Sequence, residues 1–193
     1  MAPVPSLPLT VSTESEKLKK IAEENDVKIH HREKYLAQNH KAKFSEVITG
    51  IVRDIQFDHI AWVTVVVPLM SPDDYKNAFL KYFSEVVENN IYDSLVSVNL
   101  VKEYLWNDSG PLNYELQEKH PISQDLPDIY RVTNGLYMRD KKSILKDRYF
   151  IGTNPYKFIV SKLSGIDIDE YEDYEIARTL LKIYKKGVAP PTQ

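Results

Sequence analysis

His59-Ile60-Ala61-Trp62-Val63-Thr64-Val65-Val66-Val67-Pro68-Leu69-Met70-Ser71-Pro72-Asp73-Asp74 joins the two signals that set the fold class. Residues 59–67 are rich in β-branched side chains on both faces, the pattern expected of a central parallel strand. Ser71-Pro72-Asp73-Asp74 then opens a helix. The serine offers an N-cap oxygen, proline fits the first helical position, and the two acids suit the positive end of the helix dipole. This helix is expected to reach about Asn89, with Ala78, Phe79, Tyr82, Phe83 and Val86 turned inward. Ser94–Val101 follows as the next strand. Strands alternating with helices of ten or more residues imply βαβ units and a mostly parallel sheet.

The same alternation extends in both directions. Upstream, Leu9–Ser12 reads as a short strand, and Thr13 as the cap of a helix through Asn25 with Leu18, Ile21 and Ala22 on its apolar face. Val27–His31 reads as a strand. Phe44, Val47, Ile48, Ile51, Val52 and Ile55 fall at helical spacing within Lys43–Gln56. Met1–Pro8 carries three prolines and supports neither a regular helix nor a central strand. Downstream, Lys102–Asp128 is polar and turn-rich with scattered aromatics (Tyr104, Trp106, Tyr114), a stretch of the kind that serves function or an interface. Ile129–Met138 reads as a strand with a local turn at Asn134-Gly135. A last strand is expected to end in Asp167-Ile168-Asp169, and Glu172–Lys186 closes as a helix before a loose tail, Ala189–Gln193.

The bulk numbers narrow the function classes. A chain of 193 residues with 42% hydrophobic content supports one domain with a real core. A net charge of -3 gives no electrostatic reason to expect nucleic acid. With no cysteine, disulfides and thiolate chemistry are excluded. The longest apolar run, Ile60–Met70, contains Thr64 and Pro68 and is far shorter than the roughly 20 residues needed to cross a bilayer. No basic segment precedes an apolar one as in a signal peptide, so a soluble cytoplasmic protein is expected.

The chemistry concentrates in Ser164-Gly165-Ile166-Asp167-Ile168-Asp169-Glu170. In an extended strand Asp167 and Asp169 share one face, with Ile166 and Ile168 on the other. Like charges so placed are costly unless a cation or strong donors lie between them, and Mg²⁺ accepts one or two carboxylates plus phosphate oxygens. A metal and phosphate platform is one reading; a solvated turn whose acids favour the next helix start is the other. His30-His31 point to opposite faces of a strand, which argues against a metal pair. His40, His59 and His120 lie in no motif and read as structural or exposed.

In order along the chain, several segments resemble the acylneuraminate (CMP-sialic acid) cytidylyltransferases. Ile166-Asp167-Ile168-Asp169 leading to Asp173-Tyr174-Glu175-Ile176-Ala177 looks like the family's metal-binding strand and closing helix. Gln124-Asp125-Leu126-Pro127 with Arg131 is similar to its Gln-Asp-Leu-Pro segment, followed by an Asn-Gly and an aromatic, here Asn134, Gly135 and Tyr137. Asp93-Ser94-Leu95-Val96-Ser97-Val98, Arg32 with Leu36-Ala37, and Ser12-Thr13-Glu14 match further family segments. The resemblance implies an α/β fold, a Rossmann-like three-layer sandwich with a mostly parallel sheet of the nucleotide-diphospho-sugar transferase type. It implies transfer of CMP from CTP to a sialic-acid-like or other ulosonic acid, with Mg²⁺ as cofactor. Asp167 and Asp169 would hold the metal and serve catalysis, and Arg32 would lie near the nucleotide. Gln124, Arg131, Asn134 and Tyr137 would line the acceptor site, and Tyr149-Phe150 would pack on the sugar's acyl group. The Tyr149-Phe150 pair also reads as core, and Arg32 as a surface arginine. A homodimer is implied, with its arm in residues 102–128.

Two departures matter. The family's Ala-Arg-x-Gly-Ser-Lys loop, which cradles the triphosphate through backbone N–H groups and a lysine, has no counterpart: the first glycine is Gly50. The expectation is a single domain over 1–193 that is N-terminally truncated by close to one βα unit, roughly 30 residues. The family's Gln-Pro-Thr-Ser-Pro is Val67-Pro68-Leu69-Met70-Ser71-Pro72 here, and small hydroxyl residues are replaced around Lys43 and Phe44, which argues against sialic acid itself. One alternative stays open, an inactive member acting in binding or assembly; a metal-dependent glycosyltransferase, in which Asp-x-Asp also occurs, is argued against by the Gln124–Tyr137 segment, which fits the cytidylyltransferases better.

Overall fold

The computed structural model describes residues 7–38 and 41–185. Met1–Ser6, His40, Lys186 and the tail from Ala189 lie outside the described residues. Four strands form the main sheet in the order β3-β7-β4-β8: β3 (His59–Val63), β4 (Ser94–Val101), β7 (Ile129–Asp140) and β8 (Pro155–Ile159). β7 runs antiparallel to both β3 and β4, whereas β4 and β8 are parallel, so three of the four strands share a direction. β1 (Thr10–Thr13) and β2 (Lys28–His31) pair in parallel as a separate two-stranded sheet, and β5 (Trp106–Asn107) and β6 (Gly110–Pro111) pair antiparallel as another. The helices are α1 (Glu16–Glu24), α2 (Lys34–Ala37), α3 (Phe44–Asp54), α4 (Pro72–Tyr82), α5 (Lys141–Asp147) and α6 (Tyr171–Lys185).

Helices cover both faces of the main sheet. On one face Ile48 and Val52 of α3 and Ile144 of α5 pack with Ile60, Val96, Val98, Tyr137 and Phe150. On the other, Ala78 and Tyr82 of α4 pack with Val67, Met70, Leu95, Leu136, Met138 and Val160. β4 is buried from Ser94 to Asn99, which is why its bounds read directly from sequence. The arrangement is a Rossmann-like α/β sandwich.

Several elements differ from the sequence expectation. Residues 59–67 are not a central parallel strand: β3 ends at Val63, has β7 as its one sheet neighbour, and runs antiparallel to it. Its alternate residues Ile60 and Trp62 face the core while His59, Ala61 and Val63 are exposed, the half-covered pattern of an edge. Ser15, not Thr13, caps α1, because Thr13 completes β1 and its hydroxyl accepts from Ser15 N at 3.1 Å. α4 continues as a π-helical turn over Phe83–Glu88, and Phe83 is 39% exposed rather than inward. α5 and β8 are additional elements, too short for their periodicity to stand out. Ile166–Asp169 belongs to no strand; Ile168 N donates to Val66 O at 2.9 Å without a ladder.

β7 carries the irregularity that shapes the site. Val96 pairs with Tyr137 and Val98 with Val132, so β7 takes five steps where β4 takes two. The extra residues, around Thr133-Asn134-Gly135, bulge outward with Asn134 at φ 59°. Asparagine tolerates this left-handed conformation better than most residues. Polar side chains replace the interrupted ladder. Ser97 Oγ accepts from Leu136 N at 2.9 Å and lies 2.7 Å from Thr133 Oγ1, and both residues are buried.

Candidate functional site

Asp167 lies opposite this bulge. Asn134 Nδ2 donates to Asp167 Oδ2 at 2.7 Å, and Tyr137 hydroxyl donates to Asn134 Oδ1 at 2.7 Å. The Asn134 carbonyl accepts from Thr64 Oγ1 at 2.5 Å, tying the bulge to the segment after β3. Burial pushes the Tyr137 phenol up to about 12, with the charges of Tyr149 and Asp167 acting in the same direction. Asp167 Oδ1 is buried and lacks a hydrogen-bond partner.

The loop that delivers Asp167 is fixed on two sides. Asn99 of β4 donates through Nδ2 to Val160 O (3.0 Å) and Ser161 O (2.8 Å). Its oxygen accepts from Arg131 Nη2 at 2.7 Å, and the same nitrogen donates to Gly165 O at 3.0 Å. Ser164, 7% exposed, donates to Asp74 Oδ2 at 2.9 Å. That oxygen also accepts from Ser71 N, so the α4 capping box holds the loop as well as the helix. Asp169 is exposed; its backbone N–H and that of Glu170 donate to Asp173 Oδ2, which anchors the start of α6.

An aromatic wall adjoins the polar cluster. Phe150 lies with its ring centroid 4.1 Å from Tyr137, 5.2 Å from Tyr149, 5.6 Å from Trp62 and 5.5 Å from Phe44. Phe150 is core at 4% exposed, whereas Tyr149 (43%) and Phe44 (55%) present ring surface to solvent. Buried Arg139 props this wall, donating to Tyr149 O at 3.0 Å and to Ile151 O while pairing with Asp147.

The candidate residues therefore divide. Asp167, Asn134 and Tyr137 meet in one hydrogen-bonded cluster, with Phe150 and Tyr149 beside it and Arg131 behind the loop. Arg32 sits beside the β1–β2 sheet, paired with Glu14 at 3.0 Å, and this pairing helps hold the Glu14 carboxyl below its usual range beside the larger effect of a backbone N–H bond. Gln124 is exposed on a 3₁₀ turn, accepting from Ser123 Oγ, and joins neither group. His59 is structural: its Nδ1 lies 2.8 Å from the Tyr82 hydroxyl, whose ring is fully buried.

Asn99, Thr64, Asp74, Ser164, Phe44 and Trp62 also build the site and were not among the sequence candidates. Asp74 and Ser164 had a partial signal in the capping motif and in proximity to Asp167. Asn99 and Thr64 had none, because their partners lie 32 and 70 residues away and depend on strand register.

Among the described residues, no group of three or more His, Cys, Asp or Glu is placed to hold a metal ion. Mg²⁺ does not require such a group; it takes one or two carboxylates and completes its shell with water and phosphate oxygens. Asp167, with a buried unpartnered oxygen, and the exposed Asp169 suit that donor set. No helix among the described residues is long and apolar enough to cross a membrane.

No family model matches the chain. It is 23% identical over 159 residues to a pseudaminic acid cytidylyltransferase of Campylobacter jejuni, covering 79% of this chain and 68% of that protein. A second pseudaminic acid cytidylyltransferase, from another strain of that species, is 22% identical over 129 residues, covering 66% of this chain but 55% of the relative's length. The fold is similar to the crystal structure of 4-diphosphocytidyl-2C-methyl-D-erythritol synthase from Anaerococcus prevotii, with a TM-score of 0.58 and 16% identity over 88% of this chain and 77% of the other.

Proposed function

We propose that this chain takes part in transfer of CMP from CTP to an acidic ulosonic acid sugar, with release of pyrophosphate. The observation that carries the reading is Asp167: its Oδ2 is held by Asn134 and its Oδ1 is left buried and unpartnered, next to a half-exposed aromatic wall. The two relatives named for pseudaminic acid put that acid first among acceptors to test.

In this reading Asp167 and Asp169 would hold Mg²⁺, which would supply charge neutralisation at the phosphates and polarise the sugar hydroxyl. The chain's own contribution is positioning. Arg131 and Asn99 hold the loop behind Asp167, and Asp74 secures Ser164 at its start. Tyr149 and Phe44, backed by the buried Phe150, offer an apolar face for a sugar's acyl substituent. The anomeric oxygen attacks the α-phosphorus as the bond to pyrophosphate breaks. The polar arm over residues 102–128, with Trp106, Leu112, Leu116 and Ile122 all more than half exposed, is assigned to homodimer formation.

The test is pyrophosphate release and CMP-sugar formation, followed by ³¹P NMR, from CTP with Mg²⁺ and a panel of ulosonic acids that includes pseudaminic acid. A CMP-sugar that disappears with Asp167→Ala supports the reading. No product from any acid, with CTP binding also absent by calorimetry, overturns it.

A further inference from the structure

We infer that Asn134 and Tyr137 are positioning residues for the metal-binding carboxylate: the Tyr137 hydroxyl locks the Asn134 amide, and the amide orients Asp167 so that one oxygen stays free for a cation. The inference rests on the metal reading above and deepens it, because it assigns to two residues a role other than contact with the sugar.

Hydrogen-bond chemistry fixes the direction of the relay. An ionised carboxylate only accepts, so the Asn134 NH₂ must face Asp167 and its carbonyl oxygen must face Tyr137. The phenol then has to donate, as its 2.7 Å contact requires. A flipped amide would set an oxygen against a carboxylate, and the Tyr137 proton excludes that state. The phenol stays protonated across the physiological range, since burial holds it far above neutrality. The third anchor is Thr64, whose hydroxyl bonds the Asn134 carbonyl and fixes the left-handed backbone from outside the relay. Tyr137 itself is 5% exposed and packed against Phe150, so the donor cannot swing away. The result is an Asp167 carboxylate with one oxygen committed and the other buried without a partner. An unpaired buried acceptor of this kind is costly, and a cation relieves it.

The test measures metal binding without turnover. Mn²⁺, a spectroscopic probe for a hard divalent site, is titrated into the full chain and the free ion followed by electron paramagnetic resonance. The variants are Asp167→Ala, Tyr137→Phe, which removes one oxygen from the core, and Asn134→Gly, which suits the positive φ while deleting the amide. Outer-shell partners of metal ligands change affinity by about 10–100-fold. Tyr137→Phe and Asn134→Gly are therefore expected to weaken Mn²⁺ binding by at least about tenfold, with Tyr137→Phe keeping a cooperative fold and losing only the small stability of one hydrogen bond, a pattern that loss of packing alone does not produce. If Asp167→Ala abolishes binding while both other variants bind like wild type, the positioning role is overturned and the metal reading stands. If the wild type binds no Mn²⁺, or Asp167→Ala binds it equally, the metal reading falls and this inference falls with it.

Discussion

Gly165→Ala probes the architecture that delivers Asp167. A Cβ at Gly165 would lie 2.4 Å from Asn99 Oδ1, 2.7 Å from Asn99 Nδ2 and 2.7 Å from Thr133 Cγ2. None of these neighbours has room to retreat. Asn99 is 3% exposed and held by bonds to Val160 O, Ser161 O and Arg131, while Thr133 is 1% exposed and bonded to Ser97. Overpacking a closed site costs about 1–3 kcal/mol, and neighbours clamped in this way place the cost near the upper figure. In a chain of this size each kcal/mol moves Tm by about 2–4 °C, so a cost of about 3 kcal/mol lowers Tm by about 6–12 °C. The assay is thermal and urea unfolding of a double-mutant cycle with Asn99→Ala. Removing the Asn99 amide removes the closest overlap, so the double variant should be more stable than the two single effects predict, by about 1 kcal/mol or more. A wild-type Tm for Gly165→Ala, or additivity within about 0.5 kcal/mol, refutes the clamped-loop argument.

Two further outcomes follow. Asp93 accepts from Thr153 N, Thr153 Oγ1, Asn154 N and Ser94 Oγ; burial opposes its charge, but these bonds outweigh it and depress the carboxyl. A depressed folded value gives stability that is present above the unfolded value and lost as pH falls through the folded one, so acid unfolding below about pH 4 should be shallower in Asp93→Asn than in wild type, and parallel curves would remove the assignment. In the arm, Leu116 and Ile122 are 68% and 60% exposed, so Leu116→Asp/Ile122→Asp should keep the folded circular-dichroism spectrum while shifting sedimentation from dimer to monomer; a monomeric wild type would contradict the dimer.

The parts of the fold that read well from sequence are those whose signal is local. α4 is announced by its own cap, the same Ser71 and Asp74 that bond each other in the structure, and β4 by burial on both faces. The edge position of β3 was not legible, because Val65 and Val66 continue the β-branched run past its end although they lie 92% and 37% exposed. What stops β3 is a turn tied to Asn134 and Ile168, contacts to residues 70 and about 100 positions later. Asp167 stood out through its spacing with Asp169, yet the reason first given for it, a shared strand face, does not apply in a segment without a ladder. Its surroundings depend on register, which no local pattern encodes.

The site gathers where the sheet loses its regular bonding, and the coincidence has a physical cause. At the β7 bulge residues 133–136 leave the pairing with β4, and the backbone groups freed on that side must find other partners. Ser97 and Thr133 satisfy those on the inner side. On the outer side the left-handed turn at Asn134 projects its amide toward the loop after β8, while its carbonyl takes the Thr64 hydroxyl. A regular strand would have pointed that side chain along the sheet normal and left Asp167 without a donor. Because buried polar groups must be paired, the irregularity recruits a dense set of side-chain bonds, and this makes the segment rigid enough to hold a carboxylate in one orientation. Substitutions that restore a plain ladder in β7, such as deleting Thr133-Asn134-Gly135, should therefore remove the Asp167 environment even though the sheet itself would be more regular.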